Sequence, residues 1–88
     1  MKQALGIIET RSLVAAIQAA DTMVKSADVK ILDLNYVGSG IISVIVSGEV
    51  AAVQAAVANG KGAAESLAEI ISTNVIPRPH EEVGKILD

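Results

Sequence analysis

Two β-type runs on either side of a glycine-serine-glycine tripeptide are the feature that most constrains the fold of this chain. Residues 29–36 and 41–46 are rich in branched and apolar side chains, and Gly38-Ser39-Gly40 lies between them. Gly adopts positive φ without steric cost, so the pattern predicts a β-hairpin with these three residues at its tip. Two interpretations of the tip remain open: a tight turn and nothing more, or a loop whose exposed amides and hydroxyl contact another molecule.

The two hairpin strands differ in how clearly they alternate. In residues 29–36 the apolar side chains change face part of the way along, which indicates either a β-bulge or two partly buried faces. Residues 41–46 alternate cleanly and continue into a mildly polar face, as in an interior strand. Residues 4–9 predict a further strand with both faces partly covered.

A first helix is predicted from Leu13 to Lys25. Thr10 and Ser12 are candidate N-caps for it, and Lys25 in its last turn suits the negative end of the helix dipole. Its apolar stripe follows steps of four, three and four residues and contains Leu13, Ile17, Ala20 and Val24.

The second helix is predicted over residues 50–71 and contains an apparent turn signal at Asn59-Gly60-Lys61-Gly62. The apolar spacing of three and four residues keeps its phase through these four residues, whereas a turn would normally reset it. We therefore expect one long helix with Gly60 on its packed face.

The last predicted elements are a strand at residues 72–76 and a short helix beginning at Pro79. The element order is β-α-β-β-α-β-α over a single domain, residues 1–88. We predict an α/β (α+β), ferredoxin-like fold with one antiparallel four-stranded sheet, two long helices on one face and the short C-terminal helix.

The composition favours association between copies of the chain. Hydrophobic residues make up 51% of the 88 residues, mostly as Ala, Val, Ile and Leu, against 19% charged. A domain of this size buries only about 60–65% of its unfolded surface. So high an apolar fraction therefore indicates surface shared with identical subunits.

Several classes of function are disfavoured. The chain has no Cys, so we expect no disulfide framework and no thiolate metal site. The net charge is −3 and Tyr36 is the only aromatic residue, which argues against a nucleic-acid partner. No apolar run approaches about 20 residues and the first residues lack the core of a signal peptide, so we expect no membrane partner and a cytoplasmic location.

The sequence also argues against an enzyme. His80 is the only His, it lies next to a proline, and such a residue is more often structural or solvated than catalytic. Gly38-Ser39-Gly40 lacks the spacing of a nucleophile elbow, and a strand follows it where a phosphate loop would need a helix. We expect no catalytic residue, no metal and no cofactor.

Five blocks of sequence, in their order and spacing, resemble the shell proteins of bacterial microcompartments. They run from Ala4 to Thr10, from Ala19 to Ala27, from Gly38 to Gly40, from Ser47 to Val50 and from Val75 to His80. Together they cover almost the whole chain. The resemblance is to single-domain hexamer-forming tiles of the propanediol- and ethanolamine-utilisation type, with carboxysome tiles more distant.

This resemblance implies a function. Family members form flat six-fold rings that tile into an organelle wall with other shell proteins around encapsulated enzymes. Gly38, Ser39 and Gly40 would surround a central pore for small polar metabolites, with Ser39 at its narrowest part. Lys25 matches an edge lysine that packs against its counterpart on the next hexamer. Arg78 matches an arginine that reaches across the same edge, and Pro79 and His80 follow it.

Three residues depart from the family pattern. Tyr36 stands where relatives often carry a basic residue before the pore loop, Ser47 replaces a common Arg, and Glu49 replaces a common Asp. The first two alter charge near the loop and the subunit faces. The competing hypothesis is a ring-forming, ferredoxin-like ligand sensor, which should show convergent polar ligand groups. Extended sheets of the assembled protein would favour the tile, and discrete trimers or hexamers with a ligand would favour the sensor.

Overall fold

The computed structural model describes residues 3–77, which form four strands and two helices. In chain order these are β1 (Ala4–Thr10), α1 (Leu13–Ser26), β2 (Val29–Gly38), β3 (Ile41–Gly48), α2 (Val50–Glu65) and β4 (Ile70–Ile76). The strands make one antiparallel sheet in the order β2-β3-β1-β4. The predicted mixed α/β fold with a four-stranded antiparallel sheet is confirmed. The predicted helix from Pro79 lies outside the described residues.

Both helices pack on one face of the sheet, where β1 and β3 supply the centre of the core. Ile8 pairs with Val44, and both side chains are fully buried beneath the helices. Gly6 allows α2 to approach β1, because a Cβ at Gly6 would lie 2.6 Å from Val57 Cγ2 and 2.8 Å from Val53 Cγ1. The sheet is therefore covered closely by small and branched side chains rather than by aromatic rings.

Helix α1 begins where Ser12 caps it. The backbone N–H of Ala15 donates to Ser12 Oγ at 3.1 Å, which satisfies one of the free amides of the first turn. Thr10, the other candidate N-cap, instead accepts a hydrogen bond from the Ser12 N–H at 3.3 Å. Its hydroxyl donates to the Glu69 carbonyl at 3.1 Å. Thr10 thus ties the end of β1 to the start of β4.

The packed face of α1 differs from its predicted apolar stripe. The side chains that contact the core are small, apart from one methionine: Ala15, Ala16, Ala19, Ala20 and Met23. Of the predicted stripe only Ala20 is buried, while Leu13, Ile17 and Val24 are 40–53% exposed. The helices lie too close together for large side chains, since a Cβ at Gly60 of α2 would be 3.3 Å from the Ala19 carbonyl oxygen. The larger side chains of α1 therefore face outward.

Helix α2 is continuous through Gly60 as predicted, but it ends six residues earlier than predicted. The N–H groups of Leu67 and Ala68 both donate to the Ala64 carbonyl, at 2.9 and 3.1 Å, and close the last turn. Ile71, assigned to the helix from its spacing, lies in β4. Pairing of β4 with β1 outweighs the local helical periodicity over these residues.

Strand β2 contains a β-bulge, one of the two explanations that its irregular alternation allowed. Ile31 pairs with Val46 and Asp33 with Ile45, so Leu32 is an extra residue between two ladder positions. The bulge puts Ile31 and Leu34 on the same face of the sheet, although they are three positions apart, an odd spacing that would otherwise put them on opposite faces. A second irregularity follows Tyr36, directly before the hairpin tip.

Candidate functional site

The hairpin tip Gly38-Ser39-Gly40 is a solvent-exposed turn built from three successive residues with positive φ. Their φ angles are 108°, 54° and 75°. Among residues 3–77, Ser39 is the only non-Gly residue with positive φ. A left-handed conformation costs an L-residue about 1–2 kcal/mol, so the flanking strands hold Ser39 in a strained position.

The two glycines are required by their backbone angles and not by crowding. A Cβ added to Gly38 or to Gly40 would have no heavy atom within 4 Å. The tip thus stands clear of the rest of its own protomer. Its backbone and the Ser39 hydroxyl can reach another molecule, as the second interpretation of the tip requires.

Of the three departures from the family pattern, only Tyr36 lies beside the tip. Tyr36 pairs with Ile42 at the end of the ladder, and its side chain is 61% exposed. Ser47 is buried at the opposite end of β3, where it pairs with Lys30. Glu49 precedes α2 without a side-chain capping hydrogen bond. Sequence alone did not separate these positions.

Lys25, the candidate edge residue, lies in the last turn of α1 and is exposed. Its Nζ lies 3.0 Å from Asp21 Oδ2, one helical turn earlier. Such exposed pairs contribute about 0.3–0.5 kcal/mol. Arg78, Pro79 and His80, the other predicted edge residues, lie outside the described part of the chain.

Large apolar side chains are exposed near each edge of the sheet, and sequence periodicity had not identified them as exposed. Others lie at the amino ends of the helices (Leu13, Val14 and Val50) and beside the hairpin tip (Tyr36 and Val37). Near β2, the α1–β2 surface consists of Ile17 and Val24 of α1 with Ile31 and Leu34 of β2. Near β4, the α2–β4 surface consists of Leu67, which follows α2, and Ile71 of β4. Helix α1 packs on β1, β2 and β3, whereas α2 packs mainly on β1 and β4, and β2 and β4 are opposite edges of the sheet. The two surfaces thus belong to opposite sides of the protomer.

Two surface cavities lie away from the hairpin tip. One of about 150 Å³ is lined by Arg11, Ser12, Ala68, Glu69 and Ile71. The other, of about 280 Å³, is open and is lined by Gln3, Asp28, Val29, Lys30, Ser47, Gly48 and Glu49. Each mixes acidic and basic groups. In the described residues 3–77, no three His, Cys, Asp or Glu side chains are placed to hold one metal ion.

No helix within residues 3–77 combines the length and the apolar character needed to span a membrane.

These features define a small α/β domain with an exposed glycine hairpin and two unpaired apolar surfaces. The sequence model of the BMC domain matches residues 4–79. The chain is 51% identical over 86 residues to the bacterial microcompartment shell protein PduA of Salmonella typhimurium, with 98% of this chain and 92% of PduA covered. It is 46% identical over 84 residues to the shell protein EutM of Escherichia coli K12, with 96% and 87% covered.

Two further matches agree with these. A carboxysome shell protein of Hydrogenovibrio crunogenus is 47% identical over 85 residues, with 96% of this chain and 88% of that protein covered. A solved structure of a microcompartment protein from Desulfitobacterium hafniense superposes with a TM-score of 0.86 at 32% identity. It covers 99% of this chain, which spans 47% of that one.

The chain belongs to the BMC-domain family of bacterial microcompartment shell proteins. The resemblance inferred from the five sequence blocks is thereby confirmed. The relatives are structural shell proteins and not enzymes, in agreement with the prediction of a structural role. The alternative of a ligand sensor is not favoured by any of these matches.

Proposed function

We propose that six copies of this chain close into a ring that serves as a tile of a microcompartment shell, with the whole of residues 1–88 as one shell domain. Gly38, Ser39 and Gly40 of each copy surround a central pore for small polar metabolites. The partners of the tile are its own copies, other shell proteins and the enzymes enclosed by the shell. The strand order supports a ferredoxin-like connectivity for the fold.

The observation that carries the ring is the pair of exposed apolar surfaces. A two-fold dimer buries the same patch from both partners, whereas a ring joins two different patches on each subunit. The α1–β2 surface and the α2–β4 surface are different, and they belong to opposite edges of the sheet. If the α1–β2 surface of each subunit covers the α2–β4 surface of its neighbour, an open row of subunits leaves one surface exposed at each end. A closed ring covers both surfaces of every subunit.

The shape of the protomer also suits a tile. Its principal extents are 33 × 27 × 16 Å, so it is a plate about half as thick as it is wide. Plates joined edge to edge give a flat ring, and the hairpin tip projects from one end of the sheet. The strained, unobstructed tip supports its assignment to the pore, because neither feature serves packing within the protomer.

The edge between rings is assigned to Lys25, Arg78, Pro79 and His80. Lys25 is exposed at the end of α1, and its long side chain remains accessible beside Asp21. Arg is planar and bonds several carbonyl oxygens at once, which suits contacts along a flat edge. Many modest contacts along the six edges of a ring would add up to a stable sheet.

Native mass spectrometry tests the ring directly. We expect a single species of six chains with a net charge near −18, since each chain carries −3. Introducing a charge in the α1–β2 surface, as in Ile17→Asp, should give monomers that remain folded by circular dichroism. Asp at the exposed polar position Gln18 of the same helix is the matched control and should leave the ring intact. Monomers or dimers of the unaltered chain at micromolar concentration would contradict the ring.

A further inference from the structure

Tyr36 lies on the helix face of the sheet, directly beside the hairpin tip. It pairs with Ile42, whose side chain is 1% exposed and belongs to the core beneath the helices. Adjacent residues of paired strands share a face, so Tyr36 points to the same side. The helices nevertheless leave 61% of Tyr36 exposed. Tyr36 and Ser39 are three positions apart in the chain, a distance of at most about 10 Å along the strand.

The hairpin around Tyr36 carries no fixed positive charge between residues 31 and 47. Between residues 31 and 47 the only ionisable group besides Tyr36 itself is the carboxyl of Asp33. On the adjoining elements, Arg11 follows Thr10, the β1 partner of Ile42, and so lies two strand spacings away, about 10 Å. That distance is about one Debye length at physiological ionic strength.

Arg11 shares a cavity with an acidic residue. Arg11 and Glu69 line the same cavity on the β4 side of β1, away from β2. The amino end of α1 lies on that side too, capped by Ser12. The face of the Tyr36 ring carries negative π-electron density, whereas its edge is positive.

Resting on the proposed ring, we propose that six copies of Tyr36 form an aromatic collar at the helix-side mouth of the pore, which binds small cations, such as protonated amines, in preference to small anions. A six-fold axis through the hairpin tips brings the six phenol rings around one opening. A cation over an aromatic face is attracted by the ring quadrupole, and an anion is repelled by it. The collar therefore adds a charge preference to a pore whose tip, Gly38-Ser39-Gly40, has no ionisable side chain.

The intrinsic fluorescence of the protein tests the collar, because Tyr36 is its only aromatic residue. Quenching of the hexamer by caesium, iodide and acrylamide is compared with quenching of N-acetyltyrosinamide at the same ionic strength. We expect acrylamide to reach Tyr36 and the ratio of caesium to iodide quenching to be about threefold higher than for the free amide. An unchanged ratio would overturn the collar, and so would protection from all three quenchers, which would place Tyr36 in a subunit interface.

A matched variant separates the collar from the overall negative charge of the ring. Tyr36→Leu combined with Gln54→Tyr moves the single tyrosine to an exposed position on α2 without changing the net charge. The caesium-to-iodide ratio of this variant should fall towards that of the free amide. A ratio as high as in the unaltered protein would show that the ring charge alone is responsible, and the collar would be wrong.

Influx into closed shells distinguishes failure of the collar from failure of the pore. Shells built mainly from each variant enclose a dye that caesium and iodide both quench. Tyr36→Phe should keep the ratio of caesium influx to iodide influx, and Tyr36→Leu should lower that ratio about threefold. Ser39→Leu should slow the influx of both ions. If Ser39→Leu slows both ions while Tyr36→Leu keeps the preference, the collar is wrong and the pore stands. If Ser39→Leu slows neither, the pore assignment itself is wrong.

Discussion

Ser39 occupies a backbone conformation that its two neighbours adopt freely and that it adopts only at a cost. Its φ of 54° lies in the left-handed region, where a Cβ crowds the following carbonyl. Glycine at this position would relieve that strain, so the hairpin as such does not call for a serine. The side chain is exposed and its protomer does not need it for packing. In the proposed pore, the hydroxyl, which can both donate and accept a hydrogen bond, is the part of Ser39 available to a passing metabolite.

At the residue scale, we predict that Ser39→Leu slows the influx of small polar substrates about fivefold and leaves ring assembly intact. The substitution narrows the opening and removes a hydrogen bond worth about 1 kcal/mol. The measurement is turnover of a polar substrate by enzymes sealed inside shells built mainly from the variant. Ser39→Gly is the control: it removes the hydroxyl without narrowing the opening, so influx should be slowed less than by Ser39→Leu. Equal rates for Ser39→Leu and the unaltered protein, in shells shown intact by microscopy, would return the tip to a simple turn.

At the scale of elements, the close approach of α1 and α2 depends on Gly60. A Cβ at this position would lie 2.7 Å from Met23 Cγ, 3.0 Å from Ile8 Cδ1 and 3.3 Å from the Ala19 carbonyl oxygen. The Met23 atom is in the middle of its side chain and the Ala19 atom is backbone, so neither can move aside freely. Gly62, two residues further along the same helix, has no heavy atom within 4 Å of an added Cβ.

These two glycines give a matched pair of opposite sign. Gly60→Ala should destabilise the protein by about 1–3 kcal/mol through overpacking. Gly62→Ala should stabilise it by about 0.5–1 kcal/mol, because Ala is the better helix former and meets open space. Thermal unfolding at one fixed chain concentration should show a lower midpoint for Gly60→Ala and a higher one for Gly62→Ala. A higher midpoint for both would mean that α1 moves away from α2 at little cost.

The sequence predicted helices and strands correctly where the pattern along one segment determines them. It failed where contacts between segments determine the end of an element or its buried face. Phase carried α2 correctly through Gly60 and Gly62, because helical spacing is set along one chain. The same spacing wrongly extended the helix to Ile71, since it contains no information on the pairing of β4 with β1. It also identified an apolar stripe on α1 without showing that the core takes the alanine face and leaves Leu13 and Ile17 outside.

The candidate site shows the same division. Two glycines between β runs predicted the hairpin tip, because positive φ is a property of the residue type. The sequence placed Tyr36 beside the tip, but the face of the sheet on which it lies follows from the β2–β3 register, which the irregular pattern of β2 had left ambiguous. The composition showed an excess of apolar residues and so indicated some shared surface, but it did not show which residues form the two exposed apolar surfaces. Their places on opposite sides of the protomer required the fold.

At the scale of the whole molecule, the proposed assembly uses two kinds of contact with different chemistry. In the proposed assembly, the α1–β2 surface of one subunit and the α2–β4 surface of its neighbour form the contact within a ring. The assigned ring–ring edge is polar, with Lys25 and Arg78 as its charged residues. A substitution in one kind of contact should therefore affect one level of assembly and leave the other unchanged.

The last prediction concerns that edge: Lys25→Asp and Arg78→Ala should each abolish sheets and leave six-chain rings intact. Reversing or removing one charge costs little at a single contact, but it is repeated at all six edges of every ring. Asp21→Asn is the matched control for Lys25, because it removes the 3.0 Å ion pair within α1 and leaves the Lys25 ammonium free to reach the next ring. Negative-stain microscopy should show sheets for the unaltered protein and for Asp21→Asn, and dispersed rings for Lys25→Asp and Arg78→Ala.

Sheets that persist in both edge variants would contradict the edge assignment. Loss of sheets in Asp21→Asn as well would mean that Lys25 acts through its pair within α1, and loss of the rings themselves would place Lys25 or Arg78 at the contact between subunits.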